Sequence, residues 1–166
     1  MDNNNLVAYS KVHEYLLGKL PNVNSYDDRI IAQKVGYLVQ DFGIYLGEMG
    51  YFWHKRGPYS RELASALRYY EKNQENFIRE CSYVKINALV IPRLEFLKNI
   101  IEKRPSSCTL LIWLEICASL RYLSKEGNKN DIDYLVMLLI KKKPFLSSYK
   151  VEMKKSWHLM NRTISV

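Results

Sequence analysis

Long apolar runs, an apolar leader and paired cysteines are all missing from this sequence. No stretch approaches the roughly 18 uninterrupted apolar residues of a membrane helix, so we predict no membrane partner. The opening residues, Met1 to Asn5, lack the basic and apolar regions of a signal peptide. The three cysteines, Cys81, Cys108 and Cys117, are odd in number and have no C-x-x-C spacing. We therefore expect buried free thiols in a cytoplasmic protein.

Histidine is scarce, and its positions favour neither metal binding nor catalysis. His13, His54 and His158 lie far apart in the sequence, without a carboxylate or thiol at ligand spacing. His54 and Ser60 share one segment, but no third group orients them as a base and a nucleophile. We therefore expect no metal, no cofactor and no catalytic residues, and we predict that the protein is not an enzyme.

One carboxylate stands out, because Glu115 lies between Leu114 and Ile116 in a very apolar segment. A buried carboxylate of this kind allows two interpretations. It has a raised pKa and takes part in acid–base chemistry, or it is neutralised by a cation. We favour the second interpretation, with Arg121 or Lys34 as the expected partner.

The cations are distributed unevenly along the chain. Residues 1–83 contain 10 Lys and Arg against 10 Asp and Glu, whereas residues 84–166 contain 15 against 7. The whole net charge of +8 therefore lies in the second half, and such a field favours acidic partners. One group of lysines predicts nucleic-acid binding as an alternative to a merely solvated face: Lys141, Lys142, Lys143, Lys150, Lys154 and Lys155.

The hydrophobic periodicity predicts a mainly α fold. A length of 166 residues suits one core, so we expect a single compact multi-helix domain spanning residues 1–166. Apolar residues recur at helical spacing in most segments, and residues 109–123 are apolar enough to predict a central helix. The segment 44–54 is rich in β-forming residues and is interrupted by two glycines, which predicts a small β hairpin or arm.

The segment after that arm combines cations with turn residues. Gly57-Pro58 is a turn signal, and Ser60 is expected to cap the following helix. Together with Lys55 and Arg56, this helix start allows an anion-binding interpretation. The simpler interpretation, in which Ser60 only caps and Gly57-Pro58 only turns the chain, is the one we favour.

Several phrases resemble a known family. Residues 31–38 (IAQKVGYL) and 53–63 (WHKRGPYSREL) are similar to the Panacea or SocA-like antitoxin domains. The Tyr-Ser after Gly-Pro and residues 113–123 (WLEICASLRYL) look closer to the related YwgA-like proteins. The resemblance implies a largely helical regulatory module, antitoxin-like or associated with phage defence and mobile elements, with no known catalytic residues.

We therefore expect a non-catalytic protein that recognises a partner protein, such as a toxin or a defence component. The contact surface is predicted to consist of aromatic and arginine residues in and around the β arm, which is the composition of interface anchors. Its expected members are Tyr51, Trp53, Arg56, Tyr59 and Arg61.

Overall fold

A computed structural model describes residues 1–162 and shows a mainly α-helical protein with one small hairpin, as predicted. Eight α-helices and two strands occur within this part of the chain. In chain order they are α1 (Asn3–Leu17), α2 (Tyr26–Asp41), β1 (Phe52–His54), β2 (Gly57–Tyr59), α3 (Arg61–Lys72), α4 (Gln74–Tyr83), α5 (Ile91–Glu102), α6 (Leu110–Gly127), α7 (Ile132–Lys142) and α8 (Lys150–Met160). Short 3-10 segments, Ala88–Val90 and Pro144–Tyr149, precede α5 and α8.

Side-chain caps fix where several helices begin. Ser60 accepts a hydrogen bond from the backbone N–H of Leu63, which confirms the predicted cap, and Ser25 accepts one from the backbone N–H of Asp28. The hydroxyl of Thr109 caps α6 by accepting from the backbone N–H of Ile112. Helix α8 has no side-chain cap and follows directly on the 3-10 segment Pro144–Tyr149.

Helix α6 is the centre of the core, as its sequence predicts. All residues from 113 to 120 are buried, and α6 packs against α2, α7, α8 and β2. Trp113 is fully buried, and its indole N–H donates a hydrogen bond to the carbonyl oxygen of Ile100 at 3.0 Å. Every one of the eight helices contributes to the same apolar cluster. The helices around α6 therefore fix the positions of its few polar side chains.

The β element begins at the end of the predicted segment 44–54, because β1 lies within that segment and β2 follows it. Strands β1 and β2 pair antiparallel, with Phe52 opposite Tyr59 and Trp53 opposite Pro58. The turn consists of Lys55 and Arg56. The expectation of a turn at Gly57-Pro58 is wrong, because Gly57 and Pro58 belong to β2. Residues 44–51 form no strand, because Gly47 and Gly50 adopt positive φ angles that interrupt extended backbone.

No helix within residues 1–162 is long and apolar enough to cross a membrane. All three cysteines are buried free thiols, which confirms that part of the prediction.

Candidate functional site

The hairpin is attached to the core through two adjacent residues of α2. Gln33 forms a pair of hydrogen bonds with the backbone of Ser60, with its Oε1 accepting at 2.8 Å and its Nε2 donating at 2.9 Å. Lys34 donates from Nζ to the carbonyl oxygen of Pro58 at 2.8 Å. Gln33 and Lys34 are buried, so these bonds form away from water. They fix the end of β2 and the start of α3 against α2.

The hairpin turn is attached to the central helix by an ion pair. Arg56 donates from Nε and Nη2 to the carboxylate of Glu115, with Nη2–Oε2 and Nε–Oε2 distances of 2.7 and 3.0 Å. The Nζ of Lys143 lies 3.1 Å from Oε1 of the same carboxylate and also donates to the carbonyl oxygen of Lys55. Glu115 is fully buried, and these charge-assisted bonds compensate its loss of water.

Glu115 is therefore neutralised by ion pairs, as the favoured interpretation expects, but the expected partners are wrong. Arg121 instead bonds Asp41, with a 2.6 Å Nε–Oδ2 distance. Lys34 bonds a backbone carbonyl and influences Glu115 only through their charges. The actual partners, Arg56 and Lys143, come from a turn and a helix end that are distant in sequence from Glu115.

Cations outnumber carboxylates in this buried cluster. Lys34, Arg56 and Lys143 gather around Glu115 alone. Burial lowers the pKa of Lys34 to about 7, and although Glu115 opposes the change, the charges of Lys143 and Arg56 add to it. Burial likewise lowers the pKa of Lys143. The field at the base of the hairpin is therefore positive.

One face of the hairpin carries a cluster that we call the hairpin rim, defined as Trp53, Arg56, Tyr122, Lys142 and Phe145. The ring of Trp53 lies 5.7 Å from that of Tyr122, and the Nζ of Lys142 lies 5.5 Å from the Trp53 ring centroid. The guanidinium of Arg56 lies 5.4 Å from the ring of Phe145, whose side chain is 52% exposed. The rim is thus an aromatic and cationic surface that solvent reaches.

The opposite face of the hairpin borders what we call the α2–α3 cleft, a cavity of about 660 Å³ between α2, α3 and the hairpin. Because side chains alternate along a strand, Phe52 and His54 face this cleft while Trp53 faces the rim. The rings of Phe52 and His54 lie 5.8 and 5.1 Å from that of Tyr59 and form a continuous aromatic wall. The guanidinium of Arg61 lies 5.0 Å above Phe52.

The five residues predicted as one contact surface therefore lie in three places. Trp53 belongs to the rim, Tyr59 and Arg61 line the cleft, and Arg56 reaches both from the turn. Tyr51 is packed against the ring of Tyr37 at 5.1 Å, and burial raises its pKa well above the ordinary value. A single surface of these five is ruled out by the alternation of the strand.

The predicted lysine row loses one member and keeps the others. The side chain of Lys143 is only 2% exposed and is engaged by Glu115, so it cannot belong to an exposed row. The five remaining members are exposed on α7 and α8: Lys141, Lys142, Lys150, Lys154 and Lys155. Of these, Lys154 lies 3.1 Å from Asp133 on α7.

Other residues of the site were not predicted from the sequence. Gln33 belongs to the phrase IAQKVGYL that supports the family resemblance, but no site role was predicted for it. Phe145 follows a helix-ending proline and carried no signal. Arg61 and Arg68 occupy the same face of α3, and Arg29 lies at helical spacing from Gln33. The spacing places Arg61 and Arg68 on one face of α3, and Arg29 and Gln33 on one face of α2. It does not show that these two faces lie opposite each other across a cleft.

Within residues 1–162, no group of three or more His, Cys, Asp or Glu side chains is arranged to hold a metal ion. Comparison with protein-family models, with curated proteins and with solved structures gave no match to this chain. The resemblance to the Panacea and YwgA-like families thus stays a prediction.

Proposed function

We propose that this protein is a non-catalytic regulatory module that recognises a partner protein through the hairpin rim. We expect this recognition to serve an antitoxin-like or defence-associated role, as the family resemblance implies. The single observation that carries the proposal is the exposed ring of Phe145 beside the half-buried Trp53 and Arg56, with Lys142 over the Trp53 ring. Aromatic and arginine side chains are the residue types that dominate binding energy at protein interfaces.

The charge of the rim selects the kind of partner face. Lys142 and Arg56 lie over the rim aromatics, and Lys143 lies 5.2 Å from the Trp53 ring beneath them. A face that carries carboxylates beside an apolar side chain complements this arrangement. Such complementarity steers association and excludes basic partners.

The support beneath the rim keeps it in one conformation. Arg56 is held by two bonds to Glu115, and Lys143 holds the backbone of Lys55. A surface that is ordered before binding loses little side-chain entropy when the partner arrives. The buried cluster therefore supports recognition by positioning the rim, and it needs no chemical step.

Affinity capture from cells of the native host, compared across surface variants, tests this proposal. Phe145→Ala removes an exposed rim ring, and Val151→Ala is the matched control because Val151 is an exposed apolar residue of α8 outside the rim. We expect a protein captured by the wild type and by Val151→Ala, and lost with Phe145→Ala. The captured protein, once purified, should bind Phe145→Ala at least about 10-fold more weakly, as a central anchor predicts.

Two results would contradict the proposal. In the first, Phe145→Ala and Trp53→Ala, both folded by circular dichroism, capture the same proteins in the same amounts as the wild type. In the second, the purified partner binds Phe145→Ala and Val151→Ala equally well.

A second candidate function is nucleic-acid binding through the exposed lysines of α7 and α8. Five exposed lysines lie on two helices that pack against each other, and phosphates bind such cations without sequence specificity. A gel shift with duplex DNA should then show a slope of log affinity against log salt of about −4 to −5. Changing the row to serine should remove the shift, whereas changing five exposed lysines elsewhere (Lys19, Lys72, Lys85, Lys103 and Lys129) should not. No shift at low salt would eliminate this candidate.

A further inference from the structure

The α2–α3 cleft lies on the face of the hairpin opposite the rim and has no role in the recognition proposed above. Its side walls are the facing sides of two helices. Positions 26, 29, 30, 33 and 34 of α2 share one side, as do positions 61, 64, 67, 68 and 71 of α3. The hairpin closes one end with its aromatic wall. A volume of about 660 Å³ lies within the range of pockets that hold small ligands.

The cleft is strongly cationic, although residues 1–83 have no net charge. Among residues 1–162, Glu71 is the one carboxylate that lines it. Five cations line it: Arg29, Lys34, Arg56, Arg61 and Arg68. The fold thus gathers five of the ten Lys and Arg residues of positions 1–83 into one cavity.

The arginines at the mouth of the cleft are not neutralised by the protein. Arg29 donates to the carbonyl oxygen of Val23 at 3.0 Å, and Arg68 donates to the hydroxyl of Ser65 at 3.2 Å. Within residues 1–162, neither of them nor Arg61 forms an ion pair. Three guanidinium groups therefore keep their charge and most of their donors available, and arginine donors match phosphate oxygens in a bidentate geometry.

The floor of the cleft adds to this field from inside the protein. Lys34 and Arg56 line the cleft and belong to the buried cluster in which Glu115 faces three cations. Arg56 and Lys143 face the single carboxylate of Glu115, and Lys34 adds a further positive charge below its pKa of about 7, so the largely buried cluster directs a positive field into the cavity. A bound anion would reduce the repulsion among these cations.

The remaining walls suit a flat ring. Phe52, His54 and Tyr59 form the aromatic wall, and Tyr26 lines the cleft from the first turn of α2. Ile30 and Leu67 supply apolar surface between the helices. Such surfaces stack on aromatic ligands, and nucleobases stack on aromatic side chains whatever their sequence.

We propose that the α2–α3 cleft binds a nucleotide, with the phosphate held by Arg61, Arg68 and Arg29 and the base against the aromatic wall of the hairpin. The combination of unneutralised arginines with an aromatic wall in one cavity of this size carries the assignment. An acidic peptide would use the cations alone and leave the ring surfaces without a function. Arg56 borders both the cleft and the rim, but the three arginines assigned to the phosphate lie outside the rim. Variants of those arginines therefore test the cleft separately from the recognition proposal.

Isothermal titration calorimetry with defined ligands tests the assignment. The panel consists of AMP, GMP, CMP and UMP with their di- and triphosphates, together with adenosine, inorganic phosphate and a Glu-rich peptide. We expect at least one nucleotide to bind at least 10-fold more tightly than adenosine, phosphate or the peptide. Arg61→Ala should weaken that binding by 10-fold or more, whereas Lys72→Ala, a matched exposed cation of α3 outside the cleft, should leave it unchanged.

The controls separate each possible failure. Arg68→Ala repeats the test with a second exposed arginine in case Arg61→Ala does not fold. The assignment is overturned if no nucleotide binds at millimolar concentration. It is also overturned if phosphate or the Glu-rich peptide binds as tightly as the best nucleotide, or if both arginine variants bind it normally. Partner capture by Arg61→Ala should match the wild type, which distinguishes this site from the rim.

Discussion

Arg56 and Glu115 are separated by 59 residues in the chain and meet in a bidentate ion pair at the base of the hairpin. One end of the pair is the turn that joins β1 to β2, and the other is the buried middle of α6. The pair therefore connects the half-buried Arg56 of the turn to the fully buried middle of the central helix. Lys143 completes it from the end of α7.

The first prediction concerns the energy of this connection. Glu115→Gln would leave the buried Lys143 and the half-buried Arg56 without a counter-charge. We expect the free energy of unfolding, measured by urea denaturation, to fall by about 3–5 kcal/mol. Glu126→Gln, an exposed change on the same helix, should alter it by less than about 0.5 kcal/mol. A similar small effect for both variants would contradict this account of Glu115.

The second prediction concerns the approach of the hairpin to α6. Gly57 has a φ of +89°, and a Cβ atom there would lie 2.6 Å from the Oγ of Ser119. Backbone strain and overpacking act together, so Gly57→Ala should destabilise the protein by about 3 kcal/mol. Gly127→Ala is the matched control, because nothing lies within 4 Å of a Cβ at that helical position. Thermal unfolding should show a large decrease for the first variant and none for the second.

The third prediction concerns the pH dependence of stability. Lys34 has a pKa of about 7 in the folded protein, below its ordinary value of 10.5. Below pH 7 the amine is protonated in both states, and the folded state bears the full cost of burying the charge. Between pH 7 and 10.5 the unfolded chain retains a proton that the folded protein has lost, so the free energy of unfolding increases with pH.

Lys34→Met removes this contribution and leaves the rest of the protein's pH dependence. From pH 7.5 to pH 9, we expect the wild type to gain about 1–2 kcal/mol relative to Lys34→Met in urea denaturation. Lys72→Met, which changes an exposed amine, should follow the wild type across that range. Parallel curves for the wild type and Lys34→Met would show that Lys34 keeps its proton.

The fourth prediction concerns the thiols. Cys81, Cys108 and Cys117 are buried, and burial raises the pKa of each, so little thiolate is available to react. Ellman's reagent should therefore label the native protein slowly and release three equivalents of thiol in denaturant. Ser82→Cys places an exposed thiol next to Cys81 and should react at once. Rapid labelling of the native wild type would contradict the burial of the cysteines.

Several features follow from the local sequence alone. The helix starts at Ser25 and Ser60 are set by side chains that bond to backbone groups a few residues away. The burial of α6 follows from the breadth of its apolar surface. The cysteines are free thiols, as their odd number and the absence of C-x-x-C spacing predict. These are short-range properties, so a reading of residue types at fixed spacing predicts them.

The position of the hairpin and the composition of the site were decided by the tertiary structure. Residues 44–51 are rich in β-forming residues but form no strand, because Gly47 and Gly50 have positive φ angles. The first residue of the hairpin that pairs with the opposite strand is Phe52. Arg121 or Lys34 was the expected partner of Glu115, but packing placed Arg56 and Lys143 against it. Which cation reaches a buried carboxylate depends on how distant elements pack, and sequence spacing carries no information about that.

Interactions within a few residues account for most of the helices, the caps at Ser25 and Ser60, and the buried central helix, so these features can be predicted from the sequence. Only the tertiary structure separated Trp53 from Tyr59, because adjacent hairpin positions alternate between two faces. Only the tertiary structure collected the cations of an electrically neutral half of the chain into one cleft. Net charge is a sum over residues, whereas an electrostatic field depends on where the fold places them.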